Sequence, residues 1–150
     1  MHPAPADDPP PDPGGRWTVV YDGDCGFCRT ALALILRADT RRRLRPLALQ
    51  TDEAARLLHD LTPEQRAASW HLVDPSGAYT SAGAAGPPLL RLLPGGAMPA
   101  VLLAAAPETT ERAYAFVAGH RVAISRWVPS SAKRRATKLV ARRTAESASS

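Results

Sequence analysis

The hydrophobic and polar positions of the chain alternate between strand-like and helix-like patterns. A short aromatic and β-branched run, Trp17–Tyr21, predicts a buried strand. Residues 26–39 then place apolar side chains at every third or fourth position, which predicts an amphipathic helix. A second strand is predicted over residues 43–50. Because Pro46 lacks the N–H that a central strand donates, this strand should lie at a sheet edge or carry a bulge.

The pattern continues with helices around one hairpin. Residues 51–61 predict a helix, because Thr51 can cap it and acids fill its first turn. Residues 69–74 and 78–82 predict two strands joined by a turn at residues 75–77. Further helices are predicted at residues 88–93, 97–105 and 107–127. The order β-α-β-α-β-β-α indicates a mixed α/β fold.

Composition divides the 150 residues into three parts. Residues 1–15 are rich in Pro, Asp and Gly, so we expect them to be disordered. Residues 16–129 should form one globular domain. The formal net charge of +5 comes from the last part, since residues 132–150 carry six basic side chains and one acidic one. We therefore expect residues 130–150 to be a basic, flexible tail with a short helix in its middle.

The basic tail and the apolar runs bear on partners and location. Such a tail can contact nucleic acid or an anionic membrane surface. It has no aromatic residue for base stacking, and this favours a solubilising role over nucleic-acid binding. The start of the chain has no apolar segment of a secretory signal, and no apolar run is long enough to cross a bilayer. A cytoplasmic location is expected.

The chemistry concentrates in the stretch "YDGDCGFC", which contains the only two cysteines, Cys25 and Cys28. In the first turn of a helix, residues three apart lie on one face, about 5–6 Å from each other. That separation suits a disulfide that opens and closes without large chain movement. In a cytoplasmic protein such close pairs are more often catalytic or metal-binding than structural. The spacing therefore predicts a redox-active pair.

The two cysteines should differ in their surroundings. Cys25 should be the more exposed, and the helix N-terminus should favour its thiolate, although the carboxylate of Asp24 opposes this. Cys28 should point inward and stay protonated until it reacts. In thiol–disulfide exchange, Cys25 would attack a substrate disulfide and Cys28 would resolve the mixed disulfide. Asp22 either relays a proton to or from Cys28 or, like Asp24, only caps the turn and the helix N-terminus.

Other chemistries fit the residues less well. A structural zinc site needs four ligands, and here one cysteine pair stands among scattered histidines, of which His71 has the pattern of a packed strand residue. Covalent haem needs a histidine directly after the second cysteine, where this chain has Arg29. "DGD" after a strand is similar to the opening motif of haloacid-dehalogenase-type phosphotransferases. The body, however, has no lysine and no later acidic pair for magnesium.

Two functional hypotheses remain open from the residues. The first is a thiol–disulfide oxidoreductase. No flavin or nicotinamide fingerprint is present, so it would use no cofactor and would take electrons from a partner thiol. The second is a non-catalytic module, in which the cysteine pair staples the turn or senses redox state and the basic tail docks a partner.

The stretch "YDGDCGFC" resembles the signature of the DCC family of thiol–disulfide oxidoreductases, named for its Asp-Cys-x-x-Cys core. The likeness continues at residues 43–50, 78–96 and 113–127, and so covers roughly residues 16–128. It implies a thioredoxin-like fold, a small mixed sheet flanked by helices with extra C-terminal helices. It also implies a redox pair of Cys25 and Cys28 that acts on disulfide-containing substrates. One departure from thioredoxins is that no cis-proline candidate directly precedes the predicted strand at residues 69–74.

Overall fold

The computed structural model describes residues 14–149, so the predicted disordered segment 1–15 lies almost entirely outside the described residues. Four strands form one sheet in the order β2-β1-β3-β4. Their bounds are Trp17–Tyr21 for β1, Leu44–Ala48 for β2, His71–Val73 for β3 and Tyr79–Ser81 for β4. β1 runs parallel to β2 and antiparallel to β3, which pairs antiparallel with β4. The predicted mixed α/β class is confirmed, and a parallel pair followed by a hairpin agrees with the thioredoxin-like arrangement.

Seven helices surround this sheet in the described part of the chain. They are α1 (Gly26–Ala38), α2 (Asp52–Leu57), α3 (Pro63–Ala68), α4 (Gly86–Leu92), α5 (Ala97–Ala105), α6 (Pro107–Trp127) and α7 (Ser130–Ala148), with a short 3₁₀ turn at Ala82–Ala85. The predicted bounds of β1, α5 and α6 are confirmed. The predicted second helix is shorter than expected, and α3 was not predicted. A capping box between Thr62 and Gln65, with Pro63 at the first helical position, begins α3.

The sheet buries both of its faces. Successive residues of a strand point to opposite sides, and the adjacent residues Val19 and Val20 therefore belong to two separate core clusters. On the Val19 side, Leu32 and Leu36 of α1 pack with residues of β2, β3 and α4. On the Val20 side, the partners come mainly from α2 and its flanking residues. Both valines are at most 2% exposed, so β1 is the central buried strand that carries the site at its end.

The structure differs from the predicted flexible tail at residues 130–150. Ser130–Ala148 forms the continuous helix α7, which packs on α1 and on the edge strand β2. Ala136, Val140 and Arg143 are buried at positions i, i+4 and i+7, and two of them join the core cluster around Val19. The many basic residues of this segment explain why composition alone did not indicate a buried helix face. The edge position predicted for the Pro46 strand is confirmed, and α7 covers it.

A buried ion pair fastens α7 to the rest of the molecule. The guanidinium of Arg143 lies 2.6 Å from a carboxylate oxygen of Asp39, and the two side chains are 6% and 0% exposed. Arg143 also donates to the backbone carbonyls of Leu36 and Leu44. The carboxylate of Asp39 accepts from the backbone N–H groups of Arg43 and Leu44. Both charges are therefore satisfied, as burial requires.

His71 is a packed histidine of β3, as its strand pattern predicts. It is 1% exposed. Its Nε2 donates to the carbonyl of Arg66 at 3.0 Å, and its Nδ1 accepts from the hydroxyl of Ser81 at 2.6 Å. Burial lowers the pKa of His71 below its ordinary value, and the bond to Arg66 only partly opposes this. The ring is therefore neutral in the folded protein at neutral pH.

We expect this neutral ring to make stability depend on pH. Because the folded pKa lies below the ordinary 6.5, the stability contributed by the neutral ring is fully present above pH 6.5 and is lost as the pH falls from there through the lowered pKa. In His71→Gln, urea unfolding followed across this range should show a smaller loss. The exposed His120 on α6 provides the control, since His120→Gln should keep the wild-type slope. Equal slopes in wild type and His71→Gln would contradict the prediction.

Candidate functional site

The cysteine pair lies where β1 passes into α1. The chain leaves the sheet at Tyr21, and Cys25 becomes the N-cap of α1 with extended backbone angles. The sulfur of Cys25 accepts a hydrogen bond from the backbone N–H of Cys28 at 3.3 Å. It thus takes the place that a serine or aspartate oxygen usually has at an N-cap. The thiol of Cys25 is held against the positive end of α1, as the spacing predicts.

The two cysteines differ in what they face more than in how exposed they are. Both are half-buried, so the predicted contrast in exposure is not a large one. Cys28 lines a cavity behind the helix start, and Cys25 does not. Burial, followed by the hydrogen bond to Cys25 and the charges of Cys25 and Asp22, raises the pKa of Cys28 to about 12, against a lowering by Arg121. Cys28 therefore stays a thiol at neutral pH, as predicted.

The two acids of the loop share one amide. Nε2 of Gln50 donates to Oδ1 of Asp22 at 2.9 Å and to Oδ2 of Asp24 at 3.2 Å. Its Oε1 accepts from the N–H of Gly23 at 3.1 Å. A side chain at Gly23 would not fit easily, because a Cβ there would lie 3.0 Å from Gln50 Oε1. Gln50 therefore fastens the whole loop to the end of β2.

The acids nevertheless occupy different places. Asp22 accepts from the backbone N–H of Asp24, two residues on, and so caps the turn. It also lines the cavity together with Cys28. Asp24 is exposed and does not line the cavity. The expected capping of the helix N-terminus by these acids does not occur, since Cys25 is the N-cap.

The cavity beside Cys28 has a volume of about 270 Å³. One wall is built by β1 and α1, including Phe27 next to the reactive pair. The opposite wall is one face of α6, whose lining residues recur at i, i+3, i+4 and i+7: Tyr114, Val117, Ala118 and Arg121. Ser69 and Trp70, directly before β3, close a third side where thioredoxins have their cis-proline.

Tyr114 and Arg121 bring polar groups to this otherwise apolar cavity. The hydroxyl of Tyr114 accepts from the backbone N–H of Trp70 at 3.4 Å. Burial raises the pKa of Tyr114, with the bond to Trp70 acting in the opposite direction. Arg121 has no ion-pair partner within residues 14–149. Among the described residues, Arg121 thus lines the same cavity as Asp22 and Cys28 without a direct ion-pair contact.

The sequence did not identify Gln50, Tyr114 or Arg121 as site residues. A signal existed for Gln50, because it ends the strand predicted over residues 43–50, and parallel strands end at the same edge of a sheet. Tyr114 and Arg121 lie two turns apart on one helix face, but this spacing cannot show that the face meets the cysteines. Among residues 14–149, no three His, Cys, Asp or Glu side chains come together as metal ligands would.

Comparison with known proteins agrees with the geometry of the site. The profile of the DCC1-like thiol–disulfide oxidoreductase family matches residues 19–127, which is well over half of the chain and includes both cysteines, Gln50 and all of α6. No curated protein and no solved structure gives a significant match. Within the described residues, no helix is both long and apolar enough to cross a membrane. The chain belongs to the DCC1-like thiol–disulfide oxidoreductase family.

Proposed function

We propose that this protein exchanges disulfides through Cys25 and Cys28, with Cys25 as the attacking thiol. The observation that carries the proposal is the position of the Cys25 sulfur at the N-cap, 3.3 Å from the N–H of Cys28. A thiolate at this position accepts that N–H bond and faces the positive helix end. The family membership supports the same reaction class.

The reaction follows two displacements. The thiolate of Cys25 attacks one sulfur of a substrate disulfide, a bond forms between them, and the other substrate sulfur leaves as a thiolate. Cys28 then loses its proton and attacks the sulfur of Cys25, which releases the second substrate thiolate. Two electrons pass from the cysteine pair to the substrate. A partner thiol then reduces the Cys25–Cys28 disulfide back to the dithiol, and no cofactor takes part. The proposed reaction takes place in the cytoplasm.

The proton on Cys28 needs an acceptor, because its pKa of about 12 keeps it bound at neutral pH. Asp22 is the carboxylate that shares the cavity with Cys28. Its Oδ1 accepts hydrogen bonds from the backbone N–H of Asp24 and from Gln50. Among the described residues neither bond involves Oδ2, which is left to accept the proton. We assign Asp22 as the proton acceptor for the second displacement and Asp24 as an exposed charge on the loop.

The wild-type protein tests the proposed reaction directly. Pre-reduced protein mixed with a model disulfide should release two thiols per protein and acquire a Cys25–Cys28 disulfide, detected by thiol absorbance and by mass. The reduction potential of the pair should lie within about −270 to −120 mV, as in exchange proteins. A potential far below that range, with no thiol released, would instead indicate a structural staple.

Replacing Asp22 by Asn should slow the second displacement at neutral pH by at least about tenfold, because general-base assistance is lost. The rate of resolution is measured by quenching the mixed disulfide at short times. Asp24→Asn is the matched control and should leave the rate of resolution unchanged. Asp24 also contacts Gln50, but it does not line the cavity. If Asp22→Asn lowered only the stability and not the resolution rate, Asp22 would be a turn cap alone.

A further inference from the structure

The cavity beside Cys28 has a mostly apolar lining, and one of its charged groups has no direct partner. Among the described residues, two charged ones line it, Asp22 and Arg121. Asp22 already accepts hydrogen bonds from Gln50 and from the backbone of Asp24. Arg121 is half-buried and has no ion-pair partner among the described residues. A cation left unpaired at an apolar cavity favours a ligand that supplies an anion.

Arg121, Tyr114 and Cys28 line the same cavity. Burial raises the pKa of both Cys28 and Tyr114, and the charge of Arg121 opposes this rise in each. The rest of the wall consists of aliphatic and aromatic side chains such as Leu32 and Trp70. A ligand seated there would pack its apolar part against these side chains and place its anionic group at Arg121.

The size of the cavity limits what can enter. Its volume of about 270 Å³ lies just below the range of about 300–1,000 Å³ that encloses drug-sized ligands. A single ring or a short branched chain with a carboxylate fits this volume, whereas a nucleotide-sized coenzyme does not.

We propose that this cavity binds a low-molecular-weight disulfide, whose compact apolar group fills it and whose carboxylate pairs with Arg121. The inference rests on the proposed function, because the bound disulfide is the substrate of Cys25. The bond between Cys25 and one substrate sulfur forms as the substrate S–S bond breaks, and the first thiolate leaves. The sulfur of Cys28 then bonds to Cys25, the second thiolate leaves, and the substrate has gained two electrons.

Two matched probes isolate the contribution of the carboxylate. They are the disulfide of para-mercaptobenzoate and the disulfide of para-mercaptobenzamide, which have the same shape and differ in charge. The measured quantity is the ratio of their single-turnover rates with pre-reduced protein. Arg121→Gln should lower this ratio by about tenfold, the smaller end of the loss for a hydrogen bond to a charged group. Arg121→Lys keeps the charge and should retain most of the ratio.

Control variants separate the cavity from general charge and bulk effects. Arg126→Gln makes the same change at an exposed position of α6 and should leave the ratio unchanged. Ala118→Leu fills the cavity and should slow both probes, whereas Ala115→Leu adds the same bulk at an exposed position of that helix and should slow neither. An unchanged ratio in Arg121→Gln, or an equal fall in Arg126→Gln, would overturn the proposal.

Binding without chemistry distinguishes failure of the site from failure of the proposed function. The sulfur-free para-methylbenzoate should bind the wild-type protein more tightly than para-methylbenzamide, by calorimetry, and should lose this preference in Arg121→Gln. If para-methylbenzoate shows this preference while neither disulfide reacts, the proposed binding site is supported and the proposed exchange activity is overturned. If both disulfides react but Ala118→Leu slows only the reduction of a protein disulfide, the cavity holds a side chain of a protein substrate and the small-molecule proposal is overturned.

Discussion

Replacing Cys25 by serine should reduce disulfide reduction to the rate seen without protein. Serine is a preferred N-cap residue, and its oxygen can accept the N–H of Cys28 as the Cys25 sulfur does. Helix α1 should therefore keep its start, so that the loss reports the missing thiolate and not a misfolded loop. The measurement is thiol release from a model disulfide, with circular dichroism to establish that the variant is folded.

Cys28→Ser should have a different outcome, because only the second displacement is removed. The first substrate thiolate should leave, and the protein should retain the other half of the substrate on Cys25 as a stable adduct, detected by its mass. An added thiol should release it. Persistent activity in Cys25→Ser, or an adduct on Cys28 in place of Cys25, would contradict the order of the two cysteines.

The strands and the helices α1, α5 and α6 were predictable because their patterns are local. Trp17–Tyr21 and Pro107–Trp127 have the predicted bounds. Helix α3 was missed because its six residues include no large apolar side chain and so show no apolar period, and only its capping box and Pro63 mark it. The packing of α7 was missed because its basic side chains dominate the composition. Its buried stripe needs an arginine, Arg143, at a core position, which periodicity of apolar residues cannot reveal.

The site was predictable to the extent that it lies in one segment. The helix start at the cysteines and the inward orientation of Cys28 follow from spacing within "YDGDCGFC", whereas the N-cap position of Cys25 was not predicted. The partners from elsewhere in the chain do not, because Gln50 and Arg121 are brought to the cysteines by strand order and helix packing. The local sequence thus indicates thiol–disulfide chemistry. The residues proposed to hold the loop and to select the substrate are found only in the tertiary structure.

Helix α7 links this site to the stability of the whole molecule. It packs along α1, the helix that carries both cysteines, and contributes Ala136 and Val140 to the core cluster that includes Leu32 and Leu36. Deleting residues from 130 onward would expose that cluster. A truncated chain is therefore no test of a docking tail, because any lost activity or binding would follow from a damaged core.

A single substitution tests the role of α7 more sharply. Arg143→Met keeps a long, largely apolar side chain but leaves the carboxylate of Asp39 buried without its cation, 2.6 Å from the position of the lost guanidinium. Breaking such a buried pair costs about 3–5 kcal/mol, a large part of the stability of about 5–15 kcal/mol of an ordinary domain. The free energy of unfolding, measured with urea, should fall by that amount.

The adjacent Arg142 supplies the control. Its side chain is 66% exposed and its Nε lies 3.8 Å from Glu146, so that Arg142→Met should change the free energy of unfolding by less than about 1 kcal/mol. Adding Asp39→Asn to Arg143→Met should recover part of the loss, because the uncompensated buried charge is then removed. If Arg143→Met and Arg142→Met were equally stable, α7 would be the detachable basic tail that its composition indicates, and the two cysteines would be held in place without it.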